Sequence, residues 1–143
     1  MERKIFWKFN IIDLLLISII LIGLIVLVYK VTLGRESDKT TNYLFSYTCQ
    51  SAPSEAFNGV VTGLDCSDGD YGNSLGQLTA INISDIENDN QNKRATFVTL
   101  IKGKEMEHGV AIDETLYLKG KELNLIIGDS VFRVYLSNIQ SLQ

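Results

Sequence analysis

Between Leu14 and Tyr29 the chain reads LLLISIILIGLIVLVY, sixteen uncharged and almost wholly apolar residues. No other feature limits the fold as much. A soluble helix keeps a polar face, and this run has none. Extended to Ile11 and Leu33 it covers 23 residues, enough to span a hydrocarbon core of about 30 Å. The sequence therefore predicts a transmembrane α-helix over 11–33. Lys30 lies one turn inside its far end, placed to snorkel outward. Ser18 can bond back to a backbone carbonyl. Phe6, Trp7 and Phe9 suit one interface and Tyr29 the other. The run is longer than a secretory signal core, and no small-x-small site follows it, so an uncleaved anchor is expected.

One acid, Asp13, stands at the mouth of the run. If Asn10 caps the helix, Asp13 falls at its third residue. There a carboxylate meets the positive end of the helix dipole at the wet interface.

Before the span, residues 1–10 form a short basic leader with Arg3, Lys4 and Lys8 against Glu2. Lys30, Arg35 and Lys39 after the span nearly balance it. A short leader without a bulky domain stays in the cytoplasm, which places the remainder outside the plasma (inner) membrane. Residues 34–42 read as a linker and 43–143 as one small extracytoplasmic domain. The chain of 143 residues has a net charge of −4, and residues 40–143 carry thirteen acids against seven bases. Such a domain repels phosphate backbones, so nucleic acid is not an expected partner.

The outer domain is predicted to be mainly β, a small barrel or sandwich, from many short strands at close spacing. Strands are expected at 43–50, 75–83, 96–101, 110–112, 115–118, 122–127 and 130–136, with a brief extended piece at 60–64. In 75–83 the alternation puts Leu78, Ala80 and Asn82 on one face and Thr79, Ile81 and Ile83 on the other. Residues 51–59, with Pro53 and Gly59 at its ends, read as a short helical turn. Residues 84–95, SDIENDNQNKRA, read as a long mobile loop. Lys102-Gly103-Lys104, Lys119-Gly120-Lys121 and Gly128-Asp129 read as turns, the last as a tight hairpin. The echo between residues 101–106 and 118–123 is consistent with a duplicated hairpin or with a common soluble turn.

Candidates for chemistry are few. Cys49 and Cys66 are the only cysteines. They suit a disulfide closing a loop of about 17 residues, worth roughly 3 kcal/mol, or two buried free thiols. Asp65, Asp68 and Asp70 place three carboxylates in six residues, as a calcium loop would. The EF-hand spacing fails, however, and a turn rich in Asp, Gly and Asn fits equally. His108 is the only histidine, in a charged turn. Asp113 and Glu114 are adjacent and would point apart on a strand. Asn82-Ile83-Ser84 fits a glycosylation sequon. No catalytic set and no metal or cofactor site is expected. The expected partners are the lipid bilayer and either an envelope protein or a second copy.

The stretch Ile5-Phe6-Trp7-Lys8-Phe9-Asn10-Ile11-Ile12-Asp13-Leu14-Leu15 resembles the leader of the bacterial "domain of unknown function 4330" family. The likeness continues through Tyr47-Thr48-Cys49-Gln50, Pro53-Ser54-Glu55-Ala56, Leu75-Gly76-Gln77-Leu78 and the segment from Gly109 to Ile139. It implies a single-pass bacterial membrane protein with an outer β-rich domain and no known activity, accompanying envelope and surface-polysaccharide machinery. Phe9-Asn10-Ile11-Ile12-Asp13 also resembles the start of a type IV pilin, whose acid at the fifth place pairs with a neighbouring subunit. That likeness implies a filament subunit. This chain has Lys8 where the pilin peptidase expects glycine, and Gly34 ends the run where the pilin helix continues.

Overall fold

The computed structural model describes residues 11–33 and 39–143, with helix side chains described at Asp13 and over 15–31. Two compact units divide the chain, 1–38 and 39–143.

The described residues of the first unit form one helix, α1 (Ile11–Leu33), with Asp13 in its first turn and Lys30 in its last. Ser18 Oγ donates to the Leu15 carbonyl at 2.8 Å, as its type and place suggest. Fourteen large apolar side chains between Leu15 and Val31 are 46–66% exposed. Among the described residues no helix is long and apolar enough to cross a membrane. Asn10, the basic leader 1–10 and residues 34–38 of the expected linker lie outside the described residues.

The second unit is mainly β. Eight strands are present: β1 (Thr40–Pro53), β2 (Asp65–Asp68), β3 (Ser74–Ile86), β4 (Asp89–Met106), β5 (Gly109–Ile112), β6 (Thr115–Tyr117), β7 (Glu122–Ile127) and β8 (Ser130–Leu142). A one-turn 3-10 helix, Ser54–Phe57, follows Pro53. All pairings are antiparallel. β1 pairs with both β4 and β8, so the order β1-β8-β7-β2-β3-β4 returns to β1 and closes a six-stranded barrel. The β5–β6 hairpin continues the sheet from the end of β4. Of the two β architectures expected, the closed pairing selects the barrel.

Period-two alternation explains the interior. Tyr43, Phe45, Tyr47 and Cys49 of β1 point in, with Ala95, Phe97, Thr99 and Ile101 of β4 and Phe132, Val134 and Leu136 of β8. Phe132 lies 5.0 Å from Phe57 and 4.9 Å from Phe97, centroid to centroid, so the 3-10 helix delivers Phe57 to an aromatic cluster. The Tyr47 and Thr99 hydroxyls interact within this interior, but neither reaches hydrogen-bond geometry with a partner among the described residues.

Several sequence expectations are corrected. Residues 84–95 are not a loop: β3 runs to Ile86, Glu87-Asn88 turns, and β4 begins at Asp89. Asn88 supplies the turn's positive φ of 64°, a conformation that asparagine tolerates. Lys102-Gly103-Lys104 is mid-strand, where a side chain at Gly103 would collide with Val110. The extended piece expected at 60–64 forms no strand, and β2 lies instead in the supposed acidic loop. Strand also replaces linker from Thr40. In β3 a bulge between Leu78 and Ala80 reverses the expected parity: Ile81 packs on the core while Ala80 is exposed. Asp113 and Glu114 lie in the turn between β5 and β6.

The disulfide is also corrected. Both cysteines are free and buried. Cys49 pairs across to Ala95 on β4 and Cys66 to Ile127 on β7, so the thiols stand on strands that do not adjoin. Burial pushes the Cys66 thiol up to about 11, with Asp65 adding to the shift. Burial likewise raises Cys49, Tyr47 and Tyr117. A raised pKa on an acid that is neutral when protonated favours the folded state until the unfolded form ionises. Stability should therefore be whole below about pH 8.5 and fall as pH rises through 9 to 11. Urea midpoints at pH 7, 9 and 10.5 check this; a constant midpoint would contradict it.

Candidate functional site

The three aspartates of the acidic stretch have three different environments. Asp65 is exposed, and Gln77 Nε2 reaches its Oδ1 at 3.4 Å. Asp68 ends β2 facing inward and is fully buried. Its Oδ1 accepts from the backbone N–H of Asp70 at 2.8 Å and of Tyr71 at 3.4 Å, which folds the following residues into a turn. Its Oδ2 accepts from the Tyr117 hydroxyl at 2.6 Å. Asn73 Nδ2 donates to that hydroxyl at 3.2 Å and to Thr115 Oγ1 at 2.8 Å. Lys121 Nζ sits 4.4 Å from the Tyr117 ring centroid and 4.8 Å from that of Tyr71, within cation–π range. Asp70 is exposed and accepts from the Asn124 backbone N–H at 3.1 Å and from Asn124 Nδ2 at 2.8 Å.

These bonds fasten the 69–73 turn to β6 and β7. They do not converge on a cation: among the described residues no group of three or more His, Cys, Asp or Glu could hold a metal. His108 is exposed in the turn between β4 and β5, with Glu107 at 3.9 Å as its charged neighbour.

The outer wall carries the more accessible feature. β1 follows β8 only as far as the pair Thr48↔Tyr135. Beyond it, two residues of β1, Gln50 and Ser51, oppose one of β4, a bulge between Cys49 and Ala52. A hollow of about 240 Å³ results, lined by Thr48, Gln50, Ser51, Glu122, Arg133 and Tyr135, with Val134 beneath. A second hollow of about 380 Å³ shares Glu122 and Arg133 and adds Asp70, Leu123 and Asn124. The register Glu122↔Tyr135 and Asn124↔Arg133 brings these residues together. Arg133 Nη2 meets Glu122 Oε2 at 3.1 Å, both side chains largely exposed, so the pair adds under about 1 kcal/mol.

The groove thus offers amides, hydroxyls, one cation and two acids in the open. Such a surface suits binding of a polar partner. It lacks a nucleophile held by a base, and it does not enclose a reacting atom. Among its residues only Asp70 stands out in the sequence. The others come from β1, β7 and β8, far apart in the chain, and no local motif gathers them. No family model matches the chain, and no curated protein or solved structure matches it.

Proposed function

We propose that this chain is a membrane-anchored, non-catalytic envelope protein that binds or scaffolds a partner through its barrel. In this reading α1 is a single-pass anchor with its N-terminus in the cytoplasm, the barrel lies outside, and the partner belongs to envelope or surface-polysaccharide assembly. The carrying observation is the helix surface: fourteen large apolar side chains lie open. At about 1.5–3 kcal/mol for each such side chain withdrawn from water, the helix needs an apolar surrounding. The whole of Ile11–Leu33 is 23 residues, about 35 Å, against a core of about 30 Å. Asp13 at one end suits the interface, where an acid costs little. The outer-wall groove around Arg133 supplies the binding surface.

The resemblance of the leader to the domain of unknown function 4330 family points the same way, but the reading stands on the chain's own residues. The outward placement is part of this proposal, and the free thiols lend it no support. Extraction of membranes with alkaline carbonate, then protease treatment of intact spheroplasts, tests both parts. The full chain should remain in the pellet, and its barrel epitope should be lost to external protease. Release by carbonate would refute the anchor; a protected barrel epitope, cleaved only after lysis, would reverse the orientation.

A further inference from the structure

Among the described residues the distal half of β3 has no strand along one of its edges. β4 follows Ala80–Asp85 residue by residue on one side. On the other side, β2 reaches β3 only between Ser74 and Gln77, and Gly63 and Leu64 close on Leu78. Among the described residues no strand pairs with that side of residues 80–86. Thr79, Ala80, Asn82, Ile83 and Ser84 are exposed, Ile83 at 40%. Natural sheets guard such edges with lysine, proline, inward charge or a bulge. Residues 80–84, AINIS, contain no charge and no proline, and the two irregularities of β3, at Thr79 and between Asp85 and Ile86, flank them without entering them.

We propose that this edge receives β3 of a second copy of the chain, antiparallel, about a two-fold axis at Asn82. That axis sets Ile81 opposite Ile83 twice and Ala80 opposite Ser84 twice. Ile81 and Ile83 share a face, so the seam lines up four isoleucines, the cross-strand pairing that stabilises sheets. A slip of one residue either way puts each isoleucine against Asn82, Ser84 or Ala80, which specifies the register. Charge agrees with this occupant. Each copy is acidic overall, yet the edge itself is neutral, and Asp85 at its margin is held by Lys93 at 2.7 Å. Two copies therefore meet there without the repulsion that the rest of their surfaces would impose. The isologous contact closes as a dimer, and it holds whether or not α1 spans a membrane.

The test is site-directed oxidation of the full chain in the cells that express it. Opposed residues of an antiparallel pair have Cα atoms about 4.5–5.5 Å apart, within disulfide reach. Asn82→Cys should give a dimer band on treatment with copper phenanthroline, above a wild-type background kept low by the burial of Cys49 and Cys66. Ala80→Cys or Ser84→Cys alone should give little, whereas co-expression of the two should restore the band. Adding Ile83→Lys to Asn82→Cys should cut it by about tenfold or more, because two charges enter one seam. Equal bands from all three single variants would mean random collision and would overturn the proposal. So would the absence of a band from Asn82→Cys.

Discussion

Replacing Asp68 with alanine should cost the barrel about 3–5 kcal/mol and lower its Tm by roughly 15–25 °C. The carboxyl is fully buried and accepts three hydrogen bonds, from the Tyr117 hydroxyl and two backbone N–H groups. Alanine leaves the Tyr117 proton without its acceptor inside the barrel. A buried donor stripped of its partner carries its full desolvation cost, about 1–3 kcal/mol. The turn through Asp70 and Tyr71 loosens as well, and with it the Asn73 bonds to β6. Asp70→Ala, at an exposed carboxyl on Asn124, should cost only about 1 kcal/mol. A thermodynamic cycle with Tyr117→Phe separates the hydroxyl from the turn. Coupling of about 1 kcal/mol or more is expected between the two sites. Strict additivity would mean that the 2.6 Å bond contributes nothing to the folded state.

Gly76→Ala should be worse tolerated than its chemistry suggests, with a loss of about 3 kcal/mol or more. Gly76 has a φ of +77°, and a Cβ there would drive into the Leu100 carbonyl. That carbonyl belongs to the β4 residue paired with Gln77. The obstacle is backbone on both sides, so relief requires β3 and β4 to move apart. Gly120→Ala is the natural comparison. Its φ of +90° is as restrictive, but a Cβ would meet nothing within 4 Å. It should cost only about 1 kcal/mol, the conformational part alone. Equal losses in chemical denaturation would show that steric approach to Leu100 is not what demands glycine.

Legibility followed the character of each segment. Glu122–Ile127 alternates cleanly, and β7 has those bounds; Gly128-Asp129 is the turn after it, with Gly128 at a φ of +57°. Pro53 and Gly59 bracket the 3-10 helix as expected. Residues 84–95 misled because their polarity signals solvent. A hairpin arm that is wet on both faces needs no apolar alternation, and its backbone pairing leaves no trace in composition. Lys102-Gly103-Lys104 misled because glycine there answers to Val110, a neighbour that only the fold supplies. A bulge at Thr79 inverted the face of Ile81, since one extra residue reverses a period of two. For Asp68 a signal did exist: Cys66 and Asp68 alternate about exposed or half-buried neighbours, as a strand with one inward acid would. The groove around Arg133 had none, because register between distant strands creates it.

The closure of the barrel also orders the chain's history. Tyr47 pairs with Phe97 on one side and with Leu136 on the other. Strands 1, 4 and 3 can assemble as soon as residue 104 is available. The ring cannot shut until the last strand arrives. Contacts so distant in sequence make folding slow, on a scale of about milliseconds to seconds. During synthesis the first strand therefore waits, half-paired, with Phe45 and Tyr47 still wet and adhesive. A holdase acting in that interval would recognise this strand, and truncations that remove β8 should trap the chain in an aggregation-prone state.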